Sequence, residues 1–331
     1  MADPISSTDR NMSCRVTVVA DDGVPLAATV TGPRDADLTL VCLHGHCQDA
    51  ASWDAVCDGV DVRDVRIVRY DQRGHGRSGT GDATGCTVSG LSDDLDVVLR
   101  TLVPDGPVVL AGYSMGGMVA LSYARHHPDT IGDRIVGVGL IATAASGLAD
   151  GGVGRYLRHP AASIVHRAVS RVPRVMELSK RAGGRVCTVA ARRRTAESWL
   201  RVVGSALSNE TSVVTWSRLL ADFAVLDESA ALAVLARVPV VVAAGTEDVF
   251  VPLSLSEAMA ARLPHSDLVR FVGAGHRVLA ERPEDVARAL SDLLGQVLLG
   301  SPAATAQRPS IATAQPTSIA TAQREPTRAA S

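Results

Sequence analysis

The chain has 331 residues, 33 basic against 35 acidic side chains, a formal net charge of −2, and 46% hydrophobic residues. That is material for one large domain or two smaller ones with a substantial core, and the near-neutral balance argues against a dedicated nucleic-acid binder. Six cysteines at irregular spacing (Cys14, Cys42, Cys47, Cys57, Cys86, Cys187) do not suit a disulfide scaffold, and no apolar stretch approaches the ~18 residues of a membrane span. With no apolar leader at the start, the expected setting is cytoplasmic.

Strand-like runs rich in Val, Ile and Leu occupy 15–20, 26–31, 38–43, 66–70, 107–111, 135–142, 238–244 and 268–272. The first two are joined by Asp21-Asp22-Gly23 and read as an antiparallel hairpin. From the third onward the runs are almost continuously apolar, as strands covered on both faces require. Helix-like segments at 91–103, 114–126, 253–263 and 283–299 alternate with them. This alternation predicts an α/β fold, a doubly wound and mostly parallel sheet.

Between 146 and 228 the alternation stops and helical periodicity takes over, so this stretch reads as an inserted helical cap. The core is then 1–145 with 229–300. Within 155–201, twelve Arg or Lys residues face only Glu177 and Glu197. Such a segment is either a solvated cap or a surface that attracts an acidic substrate or anionic lipid. Residues 301–331 are rich in Ala, Thr, Gln, Ser and Pro, with ATAQ recurring at 304, 312 and 320. They hold too little bulky apolar surface to order themselves, and a disordered tail is expected.

The chemistry concentrates in a few short motifs. Gly112-Tyr113-Ser114-Met115-Gly116 follows a buried strand and opens a helix. A G-x-S-x-G pentapeptide in that context is a nucleophile elbow, with small residues at 112 and 116 letting strand and helix approach closely. A serine hydroxyl needs a base, and His276 in Gly273-Ala274-Gly275-His276 follows the last strand. The base needs a carboxylate; Asp248 follows the seventh strand, with Glu247 as its neighbouring rival. The order Ser114, Asp248, His276 is the one such elbows use. A tetrahedral oxyanion needs two N–H donors, one from Met115 and one from the loop after 38–43.

That loop reads Leu43-His44-Gly45-His46-Cys47. Together with DQRGHGRSG at 71–79, GYSMGG, GTEDVFVP and GAGH, it resembles the α/β-hydrolase fold superfamily in its serine-nucleophile branch, over roughly residues 14–299. The resemblance implies a second oxyanion donor at the N–H of His46 and a helical cap after the sixth strand. Relatives that open epoxides or remove halide use an aspartate where this chain has Ser114, so serine chemistry on a carbonyl is expected. Cys42, His44, His46 and Cys47 are metal-ligand types, but their spacing fits an oxyanion loop better than a zinc site, and no metal or cofactor is expected. His75 reads as structural, and His126 and His127 as helix C-terminal residues.

The function expected is hydrolysis of a small, apolar carboxylic ester through an acyl-enzyme. The motifs leave open a thioesterase, a C–C bond hydrolase or a cofactor-free perhydrolase resembling haloperoxidases. A non-catalytic homologue that binds a ligand or a membrane through the basic cap is the alternative of another kind.

Overall fold

The computed structural model describes residues 13–62, 64–150, 154–155, 157, 167, 169, 171–172, 174–180, 182–183 and 211–300. Most of the basic segment 155–201, and with it much of the expected cap, lies outside the described residues, as does the whole of 301–331. Arg167, Arg171 and Arg174 are described and exposed.

Eight strands form one mixed sheet: β1 (Ser13–Val19), β2 (Pro25–Thr31), β3 (Leu38–Leu43), β4 (Val65–Tyr70), β5 (Val108–Tyr113), β6 (Ile135–Ile141), β7 (Val240–Gly245) and β8 (Ser266–Phe271). Their order across the sheet is β1-β2-β4-β3-β5-β6-β7-β8. The hairpin β1–β2 and the pair β2–β4 are antiparallel; every pair from β4 to β8 is parallel. Gly23 takes φ 85 in the hairpin turn, a conformation that costs a Cβ-free residue little.

Period-two alternation explains the continuous apolar runs. Val41 and Leu43 of β3, Val108 and Leu110 of β5, and Val240 and Val242 of β7 enter one core. Leu40 and Cys42, Val109 and Ala111, and Val241 and Ala243 enter the opposite one. Both faces of these strands are therefore covered, and β3, β5 and β7 are buried throughout. Truncating Leu110, which is wholly buried, is the kind of change that costs about 2–5 kcal/mol.

Helices among the described residues include α1 (Asp54–Asp58), α2 (Val88–Leu102), α3 (Met115–His126), α4 (Val213–Phe223), α5 (Ala231–Leu235), α6 (Leu253–Ala260), α7 (Val278–Glu281) and α8 (Pro283–Gly300). Residues of α2 and α3 fill the first core, and those of α1, α7 and α8 the second. Helix α2 starts three residues earlier than its apolar spacing predicts. Thr87 caps it, accepting from the N–H of Gly90 at 3.0 Å, a contribution of about 1 kcal/mol. The short α1, α5 and α7 are too brief to leave a periodic signal in the sequence. Between β6 and β7, α4 buries Leu219 and Phe223 against the core. No helix among the described residues is long and apolar enough to cross a membrane.

Candidate active site

Strand β5 delivers Ser114 to the carboxyl edge of the sheet. Ser114 takes φ 53 and ψ −117, a backbone region L side chains rarely adopt, with a cost of about 1–3 kcal/mol borne by the surroundings. Strand β6 and the residues after it hold it there. The N–H of Ser114 donates to the Ile141 carbonyl at 2.9 Å, and the Thr143 hydroxyl donates to the Ser114 carbonyl at 2.7 Å. Helix α3 then begins at Met115, one residue later than spacing suggested, because Ser114 is the strained cap. Gly116 makes the close crossing possible, since a Cβ there would stand 2.1 Å from the Leu43 carbonyl oxygen.

Two further loops meet this serine. The Nε2 of His276 lies 3.0 Å from Ser114 Oγ, and its Nδ1 lies 2.7 Å from Asp248 Oδ2. The other carboxylate oxygen of Asp248 accepts from the N–H groups of Phe250 and Val251 at 2.8 and 2.9 Å. Asp248 is thus clamped on both oxygens, with its side chain wholly buried. Glu247 is exposed. The imidazole of His276 packs against the rings of Tyr113 and Phe250, at centroid separations of 5.6 and 5.4 Å.

The loop after β3 closes over the elbow. A Cβ at Gly45 would come within 2.7 Å of the Tyr113 ring and 3.3 Å of the Ser114 Cβ, so only glycine lets the backbone at 45 lie against Ser114. The N–H of Met115 belongs to the first turn of α3, where donors have no intrahelical acceptor. The loop after β4 underpins this arrangement. Gln72 donates its backbone N–H to His44 Nε2 at 2.8 Å and its side-chain amide to the His44 carbonyl at 2.7 Å. Asp71 accepts from the N–H groups of Ala50 and Arg77 at 2.8 and 2.9 Å.

Three histidines, two from the loop after β3 and one from the loop after β4, pack together. The rings of His44 and His75 meet edge to face at 5.2 Å, and those of His46 and His75 at 5.6 Å. Burial pushes all three below the usual histidine range. For His46 the value falls to about 3, burial being the main cause and the positive charges of a protonated His44 and of Lys180 adding to it. All three are therefore neutral imidazoles near neutral pH. Among the described residues no group of three or more His, Cys, Asp or Glu side chains is arranged to hold a metal ion.

Residues 39–283 match the family described as alpha/beta hydrolase fold. The chain belongs to the α/β-hydrolase family. Among curated proteins, this α/β-hydrolase is 31% identical over 271 residues to a pimeloyl-[acyl-carrier protein] methyl ester esterase of Aromatoleum aromaticum, covering 77% of this chain and 97% of that one. It is 25% identical over 317 residues to a 2-hydroxy-6-oxononadienedioate/2-hydroxy-6-oxononatrienedioate hydrolase of Burkholderia vietnamiensis, covering 89% and 99%. Among solved structures it is similar to a thermophilic esterase from Thermogutta terrifontis, with a TM-score of 0.63, 27% identity, and coverage of 86% of this chain and 99% of that one.

The structure brings Ser114, Asp248 and His276 into one hydrogen-bonded chain and sets Met115 and His46 on the two segments flanking the serine. Sequence reasoning passed over Tyr113, Thr143 and Phe250. Tyr113 lies inside the G-x-S-x-G motif, but nothing in that motif says which backbone its hydroxyl meets. Thr143 follows β6, and no local pattern says which carbonyl its hydroxyl meets.

Proposed function

We propose that this α/β-hydrolase is a serine esterase acting on a small-molecule carboxylic ester. The observation that carries the reading is the continuous chain from Ser114 Oγ to His276 Nε2 at 3.0 Å and from His276 Nδ1 to Asp248 Oδ2 at 2.7 Å. Ser114 Oγ attacks the ester carbonyl carbon while its proton passes to His276 Nε2. The carbonyl electron pair moves onto oxygen, where the N–H groups of Met115 and His46 receive it. One such donor is worth about 3–4 kcal/mol of transition-state stabilisation. Collapse of the tetrahedral species breaks the bond to the alcohol oxygen, which takes the proton from His276. Water then repeats the sequence: His276 takes its proton, the acyl–Ser114 bond breaks, and Ser114 regains a hydrogen. Asp248 keeps the Nδ1–H tautomer in place and stabilises the imidazolium at each passage.

The esterases among its relatives support this assignment. The test is to treat the purified protein with a fluorophosphonate probe and to assay p-nitrophenyl butyrate. Labelling at Ser114 with ester turnover is expected. No labelling and no turnover would overturn the reading. Peroxide-dependent halide oxidation outpacing ester hydrolysis would replace it with a perhydrolase.

A further inference from the structure

Next to the oxyanion loop lie buried polar atoms for which the proposed reaction has no use. Neither ring nitrogen of His46 has a hydrogen-bond partner among the described residues, and both are shielded from solvent; the same is true of His75 Nε2. The Nδ1 of His75 faces the Arg73 carbonyl at 3.0 Å. A carbonyl only accepts, so Nδ1 carries the hydrogen and Nε2 presents a bare lone pair. His46, held neutral by burial, presents one N–H and one lone pair. The two rings stand edge to face at 5.6 Å, and the ring of Phe223 of α4 also meets His46 edge to face, at 5.5 Å. His46 is one residue from Gly45, which is packed against Ser114, so this pair adjoins the place where a substrate carbonyl would sit.

Unpaired buried donors and acceptors are costly, and they discriminate strongly between ligands that can and cannot pair with them. The chemistry of the pair selects among ligand groups. An alkyl group satisfies neither histidine. A carboxylate has no hydrogen for His75 Nε2, and an ammonium would stand against the positive charge of Lys180, which acts on His46. A hydroxyl fits both at once, donating its hydrogen to His75 Nε2 and accepting the N–H of His46. We propose that His46 and His75 form a subsite for a hydroxyl group carried by an otherwise apolar ester substrate. This inference rests on the serine esterase reading and names its substrate class.

The hydroxyl can belong to the acid or to the alcohol, and the test has an arm for each. Methyl esters of hydroxybutanoic acids, with the hydroxyl at each chain carbon in turn, are compared with the corresponding methyl-for-hydroxyl isosteres. Hydroxyethyl butanoate is compared with propyl butanoate. In the parent, kcat/KM for at least one hydroxylated ester should exceed that of its isostere by about tenfold or more. That ratio should collapse towards unity in His75→Phe and in His46→Phe, whose backbone N–H is retained, with fluorophosphonate labelling reporting an intact elbow. Ratios near unity for every pair in the parent, or a preference that survives in both variants, would overturn the subsite. The parent panel decides even where a variant does not fold. A parent that labels at Ser114 but shows no preference removes the subsite alone. A parent that neither labels nor hydrolyses any ester removes the esterase reading and the subsite with it.

Discussion

The hydroxyl of Tyr113 donates a 2.8 Å hydrogen bond to the main-chain carbonyl of His276, tying the residue before the proposed nucleophile to the residue that carries the proposed base. Tyr113 is almost wholly buried, and burial pushes its phenol well above its usual range, so it stays a donor throughout the working pH range. Gly273 and Gly275 precede His276, and this bond holds the loop together with those from the N–H of Gly275 to Glu281 at 2.6 Å and from the N–H of Glu247 to the Ala274 carbonyl at 2.9 Å. Tyr113→Phe keeps the ring against His276 and removes only the anchor. It should lower kcat by about fivefold, the worth of one net hydrogen bond, with KM little changed. An unchanged kcat would show that packing and the other two bonds hold the loop without it.

Ser114→Ala should abolish probe labelling and lower turnover by about four to six orders of magnitude while the fold persists. The left-handed φ of 53 adds a second outcome. Ser114→Gly should melt higher than Ser114→Ala, because glycine adopts that backbone without a Cβ clash. Ester hydrolysis by Ser114→Ala within tenfold of the parent would move the nucleophile elsewhere.

Asp248→Asn should cost about 10⁴ in turnover by stabilising the wrong imidazole tautomer. Glu247→Gln should have little effect, since its side chain is exposed while Asp248 holds His276 at 2.7 Å. Steady-state kinetics on one soluble ester checks both, and the reverse ranking would shift the acid by one residue.

Stability should fall on acidification because of the three buried histidines. In the unfolded chain each takes up a proton as pH drops through about 6.5; in the folded protein His46 resists until about 3, and His44 and His75 are also lowered. Between those limits the unfolded state binds more protons, so the full stability present above about pH 6.5 is lost progressively towards about pH 3. The melting temperature should drop by several degrees or more between about pH 7.5 and about pH 4.5, and less steeply in His46→Phe. A flat profile over that interval would contradict neutral burial of the cluster.

Spacing along the chain determined the eight strands, their parallel arrangement beyond the hairpin and the strand–elbow–helix at Ser114. Each of these rests on local periodicity or on a turn that only certain residues permit, and both are written in neighbouring positions. The motifs also carried the candidate residues Ser114, Asp248, His276, Met115 and His46. What they left open was contact between distant segments. Asp248 and Glu247 are chemically similar neighbours on one turn, and only the meeting of that turn with a loop 28 residues further on decides which carboxylate reaches the imidazole. His75 reads as one histidine in a glycine-rich loop, until the parallel pairing of β3 with β4 sets it against His46. The hydroxyls of Tyr113 and Thr143 likewise find their carbonyl partners 163 and 29 residues away. Those pairings follow from sheet register and from how the loops fold over the carboxyl edge, which no local pattern encodes.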